Sequence, residues 1–267
     1  VLDLSRPVLM GIVNVTPDSF SDGGRHLAVK DALAHADRLL EEGAAIIDVG
    51  GESTRPGAQP VEIQEELRRV LPVVEALASA GVLVSIDTRN PEVMRAALQS
   101  GASLVNDVNA LRAPGALEAC AASKAGVCLM HMQGEPRSMQ RDPHYGDVAA
   151  EVAAFLAGRA EAVRTAGVAA ARICLDPGFG FGKTTAHNLQ LLRSLPSLVA
   201  LGYPVLAGLS RKSVLGAVTG RGADDRVHAS VAAALLAVRQ GARILRVHDV
   251  AATRHALSVW QAVEAAT

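Results

Sequence analysis

The chain predicts an α/β fold built as a single-domain (β/α)8 barrel, and three observations carry that expectation. Short apolar runs of strand length alternate with longer, apolar-periodic segments rich in Ala, Leu, Arg and Glu, eight of each. No linker composition interrupts the alternation, so residues 1–267 read as one domain, and barrels of this kind commonly run to about 250 residues. Every strand candidate also ends on polar residues, which a doubly wound sheet with fewer strands does not require.

Taken in order, the strands are expected at Val8–Val13, Ala45–Val49, Val82–Ile86, Leu104–Val105 with its flanks, Val127–Met130, Ile173–Leu175, Pro204–Ala207 and Ile244–Val247. Helices are expected at Val29–Glu42, Ile63–Ala80, Glu92–Gln99, Ala116–Ser123, Val148–Ala166, Ala186–Leu195, Arg226–Arg239 and Ala252–Val263. Only seven residues precede the first strand, so any segment closing the barrel bottom is expected to be shortened or absent.

The strand ends deliver, in turn, Asn14, Asp48, Asp87, Asn106-Asp107, His131, Asp176, Ser210-Arg211-Lys212, and Arg246 with His248. One Asp before Pro or Gly often does no more than cap a helix or close a turn. Eight such ends meet on one rim of a parallel barrel, where catalytic groups sit. Asp48, followed closely by Gly50-Gly51, ranks below the others, as a rim residue that shapes the next loop.

Composition narrows the partners. Hydrophobic residues make up 49% of the chain but aromatics only 3%, so Ala, Val and Leu must fill the core. A formal net charge of −1 leaves no electrostatic footprint for nucleic acid or an anionic membrane. No apolar run reaches membrane-spanning length, and the amino end has no signal-peptide pattern. Cys120, Cys128 and Cys174 are widely separated, which fits a reducing, cytoplasmic setting.

Five strings carry chemistry. After the first strand, Thr16 to Gly24 has the glycines and short polar residues of a mobile lid and carries Phe20 and Asp22. After the second, G-G-E-S-T-R-P-G can hold Arg55 over the rim. D-P-G-F-G-F-G-K-T looks like a nucleotide phosphate loop, but Pro177 stands where that motif needs glycine. It reads better as Asp176 at the strand mouth, with glycines letting Phe179 or Phe181 approach a ligand and one of the two filling the core. L-S-R-K-S and R-V-H-D-V put cations beyond the seventh and eighth strands, a common phosphate position in barrels.

These strings, with S-I-D-T, V-N-D-V and H-M-Q-G-E-P, closely resemble the bacterial dihydropteroate synthase family, in the expected order from Val8 to His248. The resemblance implies a pterin-binding TIM barrel that joins 6-hydroxymethyl-7,8-dihydropterin pyrophosphate to 4-aminobenzoate in the presence of Mg2+. It assigns Asp87, Asn106, Asp176 and Lys212 to the pterin, and Asn14, Arg55, Arg246 and His248 to the pyrophosphate. Asn14 is also implied as the Mg2+ ligand. Phe20, Thr54, Pro56, Phe181 and Ser213 would line the 4-aminobenzoate pocket, where sulfonamides compete. Asp22, Arg55, Lys212, Arg246 and His248 would be the catalytic set. A homodimer through the late helices is implied as well, for which Ala229–Val238 offers an Ala-rich surface. Two alternatives remain open: a pterin-binding methyltransferase barrel, which needs no pyrophosphate grip, and a non-catalytic pterin binder. A lysine Schiff-base aldolase using Lys212 is a third, opposed by the neighbouring motifs.

Overall fold

The computed structural model describes residues 2–15, 25–53, 60–135 and 138–266. Its strands are β1 (Val8–Asn14), β2 (Ile46–Gly50), β3 (Val84–Asp87), β4 (Leu104–Asp107), β5 (Gly126–Met130), β6 (Ile173–Asp176), β7 (Leu206–Ala207) and β8 (Ile244–Val247). They pair in parallel in the order β6-β5-β4-β3-β2-β1-β8-β7. A bridge between Leu175 and Val205 joins the two ends of that order and closes the barrel.

Side chains alternate with the strand period of two. One set, including Val13, Ile47, Ile86, Val105, Leu129, Leu175 and Leu245, packs outward in the cluster shared with the helices. The other set, Met10, Ile46, Cys128, Cys174, Leu206 and Ile244, fills the barrel interior. Leu2 and Leu4 pack against this inner cluster, so the short segment before β1 does cover it. All three cysteines are buried free thiols, used as small hydrophobes.

The helices are α1 (Arg25–Glu42), α2 (Ile63–Ser79), α3 (Pro91–Gln99), α4 (Ala116–Ala121), α5 (Val148–Thr165), α6 (Thr185–Arg193), α7 (Leu195–Val199), α8 (Ser213–Thr219), α9 (Val227–Arg239) and α10 (Val250–Ala265). Local chemistry sets several of their ends. Pro91 opens α3, the Asp147 side chain caps α5 by accepting from Ala149 and Ala150 N–H, and Thr184 with His187 forms a capping box on α6. In α2 the buried Val70, Val73, Val74 and Leu77 recur at helical spacing, and each contributes about 1.5–3 kcal/mol on burial.

Two expectations are corrected. The segment expected as one helix, Ala186–Leu195, is two, because Ser194 ends α6 and Leu195-Pro196 starts the short α7. Between β7 and α9 lies α8, absent from the expected eight; it is only seven residues long and ends on Gly220 with φ 70°. Among the described residues no helix is long and apolar enough to cross a membrane.

Candidate active site

Register brings the polar strand ends together. Asn14 lies beside Gly50, Gly50 beside Asp87, and Asp87 beside Asn106, a continuous row across β1 to β4. The absent side chain at Gly50 keeps that row open; a Cβ there would lie 3.5 Å from Asp87 Cβ and 3.8 Å from Asn14 Oδ1. Asp48, two residues earlier on β2, sits one layer deeper, level with Ser85.

Arg246 enters this layer from β8. Its Nε donates to Asp48 Oδ2 at 2.6 Å and its Nη2 to Asp87 Oδ2 at 2.7 Å. Asp48 Oδ2 also accepts from Asn106 Nδ2 at 3.2 Å. The second oxygens, Asp48 Oδ1 and Asp87 Oδ1, are buried with no partner among the described residues. Burial pushes the Asp87 pKa up to about 7; Arg246 opposes the rise, and the negative charge of Asp48 adds to it.

Across the mouth, Asp176 Oδ1 accepts from Gly178 N–H at 2.7 Å. Burial raises the Asp176 pKa, and Lys212 works against the rise. The Lys212 ammonium donates to the Phe179 carbonyl and lies 4.7 Å from the Phe181 ring centroid, a cation–π contact. Burial lowers the Lys212 pKa to about 8, with Asp176 opposing. Phe179 is fully buried and is core; Phe181 is half-buried against Val108, Met130, Met132 and Met139 at the rim.

The loop carrying Asp176 and both phenylalanines is held by a residue that sequence reasoning passed over. Lys183 is buried, its Nζ 3.0 Å from His131 Nδ1, 2.9 Å from Gly178 O and 3.0 Å from Phe181 O. An inward-facing ammonium saturated by carbonyls is no phosphate-loop lysine. The fit behind it is tight: a Cβ at Gly178 would stand 1.9 Å from His131 O, and one at Gly182 2.3 Å from Gln133 O. The glycine-rich string was the available signal, since glycines at such spacing mark close backbone approach.

His131 has its pKa lowered from 6.5 to about 3, first by burial and then by Lys183. Its imidazole is therefore neutral in the folded chain, with Nδ1 accepting from Lys183. The unfolded chain takes up a proton near pH 6.5 and the folded chain does not, so His131 contributes stability that is lost as pH falls from about 6.5 towards 3. His131→Gln keeps an acceptor for Lys183 without that proton. Its loss of stability between pH 7.5 and pH 5 should be smaller than the wild type's by about 2 kcal/mol, measured by urea denaturation. Parallel pH profiles for the two proteins would rule this account out.

The loops after β7 and β8 differ from expectation. Arg211, at φ 58°, makes a two-point ion pair with Asp249 at 3.0 and 2.5 Å and donates its N–H to Ser230 Oγ. Lys212 turns toward Asp176 and Phe179. The paired cations expected to meet an anion are thus engaged inside the protein. His248 N donates to Ser210 Oγ at 3.1 Å, and its Nδ1 lies 3.0 Å from the same oxygen, which fixes the ring. Ser213 is exposed at the start of α8. Phe20, Asp22, Thr54, Arg55 and Pro56 lie outside the described residues, as does the expected lid. The base of the Arg55 loop is described: Glu52 pairs with Arg89 at 2.9 Å, and Arg69 donates to Gly51 O at 2.9 Å.

Among the described residues no group of three or more His, Cys, Asp or Glu side chains could hold a metal ion. Asn14 offers one hard amide oxygen at the rim. That donor set fits a Mg2+ ion that arrives with phosphate oxygens and keeps its waters, and does not fit a protein cage.

A closed parallel barrel whose mouth carries acceptor-rich carboxylates, an amide and one lysine is a site for a flat heterocycle edged with N–H donors. The chain belongs to the pterin binding enzyme family, whose profile matches residues 10–248. Within it the relatives are dihydropteroate synthases. The Haemophilus influenzae enzyme is 52% identical over 262 residues, 98% of this chain and 95% of that one. Two structures of the Xanthomonas albilineans enzyme, one with 4-aminobenzoic acid and one with 7,8-dihydropteroate, superpose with TM-scores of 0.95 and 0.91 at 58% and 56% identity. Each spans 100% of this chain and 96% or 97% of the solved one. A Yersinia pestis enzyme in complex with a sulfonamide drug gives 0.94 at 51% identity, over 99% of this chain and 97% of that one.

Proposed function

We propose that this protein condenses 6-hydroxymethyl-7,8-dihydropterin pyrophosphate with 4-aminobenzoate, giving 7,8-dihydropteroate and pyrophosphate. The observation that carries the reading is the convergence of Asp87, Asn106, Asp176 and Lys212 on one mouth, with Asp87 Oδ1 buried and unpartnered among the described residues. A buried carboxylate oxygen without a donor is costly, and an N–H of the pterin edge relieves that cost.

Each group then has a task. Asp176 and Asp87 accept from the ring's N–H groups, and Lys212 donates to its acceptors. As pyrophosphate departs, positive charge grows on the pterin methylene, and the two carboxylates stabilise it electrostatically. The departing anion is assigned to His248, Arg55 and Arg246, and Asn14 would hold Mg2+. When bound, Mg2+ neutralises phosphate charge and makes pyrophosphate a better leaving group. The arylamine is already nucleophilic, so no strong base is required. The arylamine pocket, where sulfonamides compete, is assigned to Phe181 and Ser213 together with Phe20, Thr54 and Pro56.

The test is direct: purified protein with Mg2+ and both substrates releases pyrophosphate and forms dihydropteroate, and the rate falls on chelation with EDTA. Failure to form either product removes the reading. A homodimer in the cytoplasm belongs to the same proposal. The exposed apolar Val218, Leu236, Val259 and Val263 on α8, α9 and α10 support it, while Ala233, Ala234, Ala237 and Val238 are taken up by the core. A monomer in sedimentation at micromolar concentration would set the dimer aside.

A further inference from the structure

The row of strand residues that carries Asp87 and Asn106 does not stop at β4. Asn106 lies beside Cys128 on β5, and Cys128 beside Cys174 on β6, so two free thiols stand opposite each other on neighbouring parallel strands. Both belong to the cluster that fills the barrel interior with Met10, Leu206 and Ile244. Cys174 precedes Asp176 by two residues on β6, which puts it on the same face, one layer deeper. The proposed reaction uses neither thiol.

Spacing decides what the pair can do. Side chains directly opposite on neighbouring strands start about 4.7–4.9 Å apart, whereas a disulfide needs a Cβ–Cβ distance of about 3.5–4.5 Å, so the strands would have to move to close one. A soft cation bound in line by two thiolates at about 2.3 Å each spans roughly 4.6 Å, which the strand spacing already meets. Zn2+ takes four ligands, and no group of three or more His, Cys, Asp or Glu side chains among the described residues could hold it. A hydrogen bond with Cys174, and then burial, push the Cys128 thiol well above its ordinary pKa of 9.0. A hard cation therefore meets no anion here, and the pair answers only to an ion that displaces a proton from sulfur.

We propose that Cys128 and Cys174 form a two-thiolate site for a soft, thiophilic cation that prefers two ligands in line, with Hg2+ as the best match, on the floor of the barrel mouth. On binding, each S–H gives its proton to water and two sulfur–metal bonds form, with nothing oxidised or reduced. The charge of the ion cancels that of the two thiolates, so a neutral group is left in the apolar interior. Leu2 and Leu4 pack against the same cluster from the other end of the barrel, and Cys128 is fully buried while Cys174 keeps 5% of its surface. The ion therefore enters by the mouth and meets Cys174 first, and it competes there with the pterin. The thiol pair does not depend on the proposed function, but the competition rests on it.

The probe is Hg2+ itself, added to Cys120→Ala protein so that the pair are the only thiols left. The folded protein should take up one equivalent, and X-ray absorption should find two sulfur ligands at about 2.3 Å, a measurement that needs no further variant. Adding Cys174→Val, close in volume and suited to a strand, removes the second thiolate; a monothiol competitor should then strip the ion at least about 100-fold more readily. Affinity for the pterin pyrophosphate, measured by calorimetry, should fall by about 10-fold or more in the loaded Cys120→Ala protein and stay within about 3-fold when the Cys174→Val protein is treated alike. No uptake by the folded protein, a single sulfur ligand, or equal retention in Cys174→Val overturns the site. Two-sulfur loading that leaves pterin affinity unchanged overturns its place on the floor of the mouth. Unloaded protein that binds no pterin removes the functional reading instead, and the sulfur count still decides the site.

Discussion

Asp176→Ala should abolish measurable binding of the pterin pyrophosphate while the protein stays folded. The two charge-assisted hydrogen bonds proposed between Asp176 and the ring are lost, each about 1.5–3 kcal/mol, so affinity falls roughly 100-fold or more. The fold loses less. Asp176 Oδ1 accepts from only one backbone donor, Gly178 N–H, and burial already works against its charge. The Lys183 contacts to Gly178 O, Phe181 O and His131 hold the same loop independently. Asp176→Asn separates the two contributions, because it keeps the volume and an acceptor for Gly178 but loses the charge. Calorimetry that finds unchanged pterin affinity in Asp176→Ala would show that Asp176 does not face the ring.

Arg246→Met should cost both stability and turnover. It leaves Asp48 and Asp87 buried together without their shared cation, and breaking a buried pair in this way costs about 3–5 kcal/mol. The pH dependence gives a second signature. Folded Asp87 has its pKa raised to about 7 from an ordinary 3.8, so between those values the folded chain holds a proton that the unfolded chain has released. Stability from this group therefore falls as pH rises through that window, and removing the cation extends the window upward. Urea denaturation should show a larger deficit for the variant at pH 8.5 than at pH 5.5. Equal deficits would mean that the carboxylates are neutralised by another group.

Much of this molecule was legible in the amino-acid order. Strands buried on both faces have no use for polar residues, so Asn14, Asp87, Asn106 and Asp176 at the ends of apolar runs declared both the barrel and its mouth. The glycines around Gly178 and Gly182 announced close backbone approach before the partner, the β5 loop, was visible. Local rules suffice for such features, because strand period and turn chemistry act within a few residues.

Other features depend on which side chains meet across the barrel. Arg246 lies 198 residues from Asp48 and 159 from Asp87, and no local pattern says that its guanidinium turns to them rather than outward. Arg211 was legible as a cation, but its pairing with Asp249 follows from the approach of two loops 38 residues apart. Lys183 was legible as part of a glycine-rich string, and only the packed β5 and β6 loops turn it inward. By itself the sequence determined which residues stand at the strand ends. Closure of the sheet, with the register it imposes, decided which of them are partners, because hydrogen bonds and ion pairs form over about 3 Å and only the folded barrel brings such distant residues that close.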